Sequence, residues 1–453
     1  VIGLGVGLGN ALGSGGGNSP AFAQRGPTLD LVFGAPITDP LNAGQREDFS
    51  LDLRFLVQTY QVAAQYLVWE NAGMSAKTFG DIVTFTRASS GTYFDSTGVR
   101  QSAGNNVPRI DFDPVSRAVR GLLIEEQRTN VALMSDFTSL TGSAGSQYPN
   151  ATGWADFFNT GGTRTYVASS VNPNGFALDI SGVSNARNFI AFTFSAASNT
   201  TYTVSFSIES VSGVTGTVSY VDGTLGTGGS SGSIVSPTST GRVQYTFTTG
   251  AGAGSVNVRL GIGASTAESG NIRISGIQIE AGSFATSYIP TTSAAVTRAA
   301  DVANVNTLSP WLNPAEGTLY AEASFLALNK SMSDGLVALA SGSSANVVGM
   351  YRTSTGGLLR MEVRAGGVEQ SSYNPALASA SAKAAVAYRT NDTNLAVDGV
   401  AQTTDTSCGV PTVDRLLIGS VYTAGDFPAN GHIRRVLYYP RRLSNAELQA
   451  LTA

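Results

Sequence analysis

Eight charged side chains crowd the stretch RIDFDPVSRAVRGLLIEEQRTN, residues 109–130, in a chain that is only 13% charged overall. They are Arg109, Asp111, Asp113, Arg117, Arg120, Glu125, Glu126 and Arg128. Paired carboxylates are what the hydrolysis of a glycosidic bond requires, so Asp111/Asp113 and Glu125/Glu126 are the first candidates for chemistry. Strand geometry argues against them. Residues two apart share a face at a separation of about 7 Å, and adjacent residues point to opposite faces. Neither pair alone makes an acid and a nucleophile. The four arginines match the four acids, and guanidinium forks bind carboxylates bidentately. The stretch therefore reads as a structural ion-pair clasp that holds strands or neighbouring subunits in register. Asp113-Pro114 is a turn opener whose carboxylate is expected to bond nearby backbone.

Other reactive residues are scarce. One histidine, His432, and one cysteine, Cys408, leave no intrachain disulfide and no Cys/His zinc site. His432 sits in a strand-like run and reads as a histidine near a strand edge; Cys408 reads as a small inert residue. No catalytic residue is assigned, and the chain is expected not to be an enzyme. A formal charge of −4 excludes a broad grip on nucleic acid. No apolar run reaches the roughly eighteen residues of a membrane span.

The elements that must position these side chains are mostly strands. Gly 53 in 453 residues, with abundant Ser and Thr, suits short strands joined by tight turns. The fold class expected is mainly β: two antiparallel β-sandwich (jelly-roll) domains preceded by a Gly-rich arm and a small β-rich module. Residues 1–28 form the arm, which lacks the basic flank of a secretory signal and reads as an anchor into a larger assembly. Residues 29–138 form an attachment and oligomerisation region, in which Leu51, Leu53, Phe55 and Val57 alternate as in a strand. Residues 139–302 form the first sandwich. There Tyr202, Val204, Phe206 and Ile208 occupy one face of TYTVSFSIESV, and GTLGTGGSSGSIVS reads as a flexible loop. Residues 303–453 form the second sandwich and end in one short helix capped by Ser444 and Glu447. Thr86-Arg87-Ala88 and Thr297-Arg298-Ala299 echo each other, a match too short to imply a repeat.

Three runs carry a resemblance. FTRASSGTYFDSTGVRQSAGNNVPRIDFDP followed by GLLIEEQRTN resembles a segment of tailed-bacteriophage structural proteins, in tail fibres and other virion-surface chains. There it is followed by a carbohydrate-binding-module-like jelly roll, and SYIPTTSAAVTRAADV is similar to the segment that closes it. The terminal GHIRRVLYYPRRLSNAELQAL is similar to the end of concanavalin-like, laminin-G-type lectin domains, with Gly431, Ile433, Tyr439, Leu443, Ser444 and Glu447 in place.

The resemblance implies a non-enzymatic virion-surface protein of tail-fibre or spike type that binds a host-surface glycan. Capsid decoration or a head fibre is the alternative, and a polysaccharide depolymerase is a further one. It implies a homo-oligomer, such as a trimer, with virion partners contacted through residues 1–78. Sugars bind aromatic faces and planar polar side chains, which makes Tyr148, Trp154, Asp156 and Phe157 candidates in the first sandwich. Asp426 and Asn430, with Phe427 between them, are the candidates in the second. No cofactor is expected; a calcium ion in the laminin-G-type fold would have only Asp392 and Asp398 to draw on, without a dense oxygen-ligand motif.

Overall fold

In this computed structural model the described residues are 51–54, 60–62 and 75–453, the last with gaps at 138–153, 160–161, 173–174, 183–187, 224, 253, 263–268, 310, 328–331 and 355–356. The expectations for residues 1–50 and for Phe55 and Val57 lie outside them. The described chain is built mainly of antiparallel strands, as composition and alternation predict. Among the described residues no helix is long and apolar enough to cross a membrane.

The first sandwich pairs two five-stranded sheets. One runs in the order Trp154–Asn159, Asn188–Ser195, Ser255–Ile262, Thr217–Gly223, Ser233–Val235. The other runs Arg164–Ala168, Phe176–Gly182, Gly270–Ala281, Thr201–Ser212, Gly241–Thr248. Tyr202, Val204, Phe206 and Ile208 all enter the core between them, because a period of two puts every second side chain on one face. The opposite face of that strand is buried as well: Thr203, Ser205 and Ser207 are covered, beside Gln278 and Glu280 of the neighbouring strand. A polar sheet face that is nevertheless buried marks a docking surface. The expected flexible loop is a correction, since Ser233–Val235 within it pairs with Thr217–Gly223, and Ser230 bridges Thr248.

The second sandwich takes strands from both ends of the chain. Its central strand, Gly431–Tyr439, lies between Glu316–Phe325 on one edge and, on the other, Leu51–Arg54 and Val119–Ile124. The facing sheet holds Asp334–Ala340, Val347–Arg352, Leu359–Ala365 and Arg415–Ile418, and extends through Val302–Val305 to Thr84–Thr86. Leu122, Ile124 and Phe85 join Leu319, Met350 and Ile433 in one core. The charged stretch is thus threaded into the second sandwich. Gly121, at φ +123°, allows this: a Cβ there would lie 2.5 Å from the Ile433 carbonyl oxygen of the paired strand. The terminal helix spans Asn445–Thr452, and the Ser444 side chain accepts from the Glu447 amide as the capping box predicts.

Candidate functional site

The strongest concentration of charge is a buried cluster where the two sandwiches meet. Arg109 precedes the strand Ile110–Phe112, and Glu125 follows Val119–Ile124; their side chains meet at 2.9 Å. Arg298 approaches the same Glu125 carboxylate at 3.2 Å. Asp301 lies one residue before Val302–Val305 and receives Arg87 at 3.0 Å, a close bond from Arg109, and Arg298 at 3.6 Å. It also accepts the Glu125 backbone amide at 3.0 Å. All five side chains are withdrawn from solvent, so the two carboxylates serve three guanidinium groups.

The three-residue echo has a structural meaning. Arg87 and Arg298, from the two Thr-Arg-Ala sequences, converge on Asp301 from different segments. Thr84–Thr86 pairs with Val302–Val305, while Val296–Arg298 pairs with Arg128–Asn130. Each copy therefore ends a strand at the joint, and each delivers an arginine there. Sequence reading missed Arg87, Arg298 and Asp301 as members of the clasp; the echo was the signal.

Burial alone would raise the Glu125 carboxyl. Arg298, Arg109, and the Ser287 amide and hydroxyl, each at 2.6 Å, overcome it and hold the group down at about 2. A carboxyl depressed from 4.5 adds stability that is complete above about pH 4.5 and is lost as pH falls through about 2. Burial raises Glu280 and Asp136, the latter against the opposing pull of Arg100, so these two act with the other sign and favour the folded state as pH falls from neutrality. Urea midpoints of the full chain should therefore hold or rise on mild acidification and fall steeply between pH 4.5 and 2. Glu125→Gln should flatten the acid limb, and an unchanged limb in that variant would refute the assignment.

The remaining charged residues form smaller groups. Asp111 accepts the Phe94 amide at 2.7 Å, lies 2.9 Å from His432 Nε2 and faces Arg120 at 3.6 Å. Asp113 takes Arg120 at 2.6 Å and the amides of Val115 and Ser116. Glu126 pairs with Arg128 at 2.5 Å. Arg117 departs from the expected clasp. It is exposed in a left-handed turn at φ 61° and makes no ion pair among the described residues. His432 also departs from its expectation: it is buried on the central strand, opposite both Ser324 and Leu123, and not at a strand edge.

The glycan candidates do not assemble into one surface. Tyr148 lies outside the described residues, as do the side chains of Asp156 and Phe157 on the strand Trp154–Asn159. Trp154 is a core residue, 2% exposed, packed against Phe192. Asn430 is fully buried and belongs to the joint, where its side chain accepts from the Glu126 amide at 2.9 Å and donates to the Glu126 carboxylate at 3.0 Å. Asp426 caps its own loop, accepting the amides of Val421 and Tyr422. Phe427 stacks on Tyr351 at 6.2 Å and meets Tyr422 edge-on, a half-buried aromatic group on the outer face of the sheet. Asp392 is engaged by Arg389 and Arg442, and Asp398 accepts the Lys383 amide. Among the described residues no group of three or more His, Cys, Asp or Glu side chains is arranged to hold a metal ion.

A cleft of about 250 Å³ opens beside the buried cluster. Its walls come from the hairpin Gly91–Phe94/Arg100–Ala103, from the polar face of the first sandwich and from segment 285–288. Asp111, His432, Arg100, Arg120 and Arg242 all reach it. This cleft was not legible in the sequence, because its sides come from six separated segments.

No family model matches the chain, and no curated protein sequence matches it. Solved structures similar to part of it include the Ruminococcus gnavus IT-sialidase CBM40 bound to alpha2,6 sialyllactose. The likeness has 21% identity over 31% of this chain and 84% of that one, with a TM-score of 0.27. A leech intramolecular trans-sialidase matches at 18% identity over 31% of this chain and 23% of its own, with a TM-score of 0.27. Trypanosoma rangeli sialidase matches at 14% identity over 33% of this chain and 25% of its own, with a TM-score of 0.24. The likeness thus spans about a quarter of either sialidase chain and about a third of this one.

Proposed function

We propose that this chain is a non-enzymatic structural protein of a tailed-phage virion surface, of tail-fibre or spike type, which presents its β-sandwiches to a host-surface glycan. The observation that carries the reading is where the phage-like residues lie. The two runs that resemble phage structural proteins supply Arg87, Arg109, Glu125, Arg298 and Asp301, which together make the buried joint between sandwiches. A polysaccharide-cleaving reading needs two carboxylates free to face a sugar. Glu125 is instead held by two guanidinium groups and Ser287, and Asp113 by Arg120 and turn amides, which supports a binder over a catalyst.

Proteomics of gradient-purified virions tests the assignment, with peptides of this chain expected at stoichiometric levels. Full-length protein should also label intact host cells, and periodate oxidation of surface sugars should cut the labelling severalfold. Absence from virions overturns the phage reading. Release of reducing ends from host polysaccharide overturns the non-enzymatic one. Labelling that is indifferent to periodate overturns glycan attachment.

A further inference from the structure

Among the buried or half-buried arginines around the joint, Arg242 stands apart. Arg87, Arg100, Arg109, Arg128 and Arg298 each have a carboxylate within ion-pair distance. Arg242, on the strand Gly241–Thr248, has none among the described residues. Its guanidinium donates to the Ser205 hydroxyl at 2.8 Å and to the Gly276 carbonyl at 3.1 Å, and lies 5.6 Å from the centre of the Tyr288 ring. Two of its five N–H groups are used in these bonds, and its Nε has no acceptor. Burial pushes the group down to about 10, with the neighbouring Arg100 adding to the shift and the carboxylates of Glu280 and Asp136, both beyond ion-pair distance, opposing it. A buried cation with no carboxylate in contact is costly, and an anion supplied from outside relieves that cost.

The surroundings define which anion fits. Arg242 lines the cleft of about 250 Å³, a space suited to a single sugar ring and too small for a drug-sized ligand. Phe94, Leu123, Val243 and Leu326 give it apolar wall. Polar groups with spare capacity face the same space: the Tyr93 hydroxyl makes no hydrogen bond among the described residues, and the exposed Gln244 uses only its oxygen, which accepts the Ala285 amide at 2.7 Å. Arg120 also lines the cleft, committed to Asp113 and Asp111. A bare phosphate or acetate would leave the apolar wall and the hydroxyl donors unused. A neutral sugar would leave Arg242 unpaired.

We propose that this cleft is a binding site for a carboxylated sugar residue of the hexuronate class, with Arg242 receiving the carboxylate and Tyr93 and Gln244 receiving ring hydroxyls. The inference rests on the glycan-attachment reading and deepens it. It places a recognition site at the joint, away from the aromatic loops that the sequence singled out.

Calorimetric titration of the full chain with D-glucuronate and D-galacturonate tests it, with glucose, acetate and inorganic phosphate as comparison probes. At least one uronate should bind at least tenfold more tightly than glucose, acetate and phosphate. Arg242→Gln should lose that binding by tenfold or more, and Arg242→Lys should retain part of it. Gln244→Glu guards against misfolding, because it keeps the acceptor for the Ala285 amide at an exposed position and only adds a negative charge; it should weaken uronate severalfold. Equal binding of glucose, or uronate binding indifferent to both Arg242→Gln and Gln244→Glu, overturns the proposal. So does acetate or phosphate binding that matches uronate, which would reduce the site to a simple anion hole. A glycan array run on the same protein separates the two readings. Neutral glycans bound with full strength by both variants, with uronate binding that neither variant weakens, remove the cleft and leave attachment standing, whereas a silent array with no uronate heat removes both.

Discussion

Replacing Asp301 with alanine is expected to destabilise the chain by about 3–5 kcal/mol, the range for breaking a buried ion pair by removing one partner. Asp301 is the shared counter-charge of Arg87, Arg109 and Arg298, and it also accepts the Glu125 amide. Without it, three fully buried guanidinium groups face the single carboxylate of Glu125. The residue borders the strand Val302–Val305, which carries Thr84–Thr86 at its edge, so the loss should open the joint rather than melt either sandwich from within. Urea denaturation followed by intrinsic fluorescence measures it. Asp113→Ala is the control, since its ion pair with the partly exposed Arg120 is expected to be worth about 0–1 kcal/mol. Asp301→Asn should fall between the two, retaining size and an acceptor. If Asp301→Ala costs no more than Asp113→Ala, the cluster is not what holds the modules together.

Trp154→Ala should cost a similar amount, about 3–5 kcal/mol, because it empties a core site. The indole packs against Phe192 at 5.2 Å and Phe137 at 6.1 Å, and its N–H donates to the Leu133 carbonyl at 2.6 Å. Trp154→Phe keeps most of the packing and loses the hydrogen bond, so about 1–2 kcal/mol is expected. The measurement is thermal unfolding followed by near-ultraviolet circular dichroism. A tryptophan that served as a sugar platform would behave differently: its removal would abolish glycan labelling and leave the melting temperature unchanged.

The contrast between these residues explains what could be read in the sequence. Alternation is local, so the buried face of Thr201–Ser212 and the capped helix at Asn445–Thr452 were both legible. The charged run also announced a clasp, because Arg109 and Glu125 lie near each other in sequence. The rest of that clasp was out of reach. Asp301 is 192 residues from Arg109 and 214 from Arg87, and Asp111 is 321 from His432. No periodicity reports pairings over such distances. Arg117 misled for a local reason, as a left-handed turn carries it into solvent away from the strands on either side. Trp154 misled because composition records an aromatic ring without its direction, and its register opposite Phe192 sends it inward. Arg242 gave no signal at all, since an arginine shows that no carboxylate touches it only after every neighbour is in place.

The placement of Gly431–Tyr439 has a consequence for biosynthesis. This keystone is translated after the segments it joins, Leu51–Arg54, Val119–Ile124 and Glu316–Phe325. Those earlier segments leave the ribosome with an unfilled slot between them, whereas the sheets built from 154–281 already have all their partners. The early strands then wait, their edges open to wrong pairing, until residues 431–439 have been made, after the sheets of 154–281 can close.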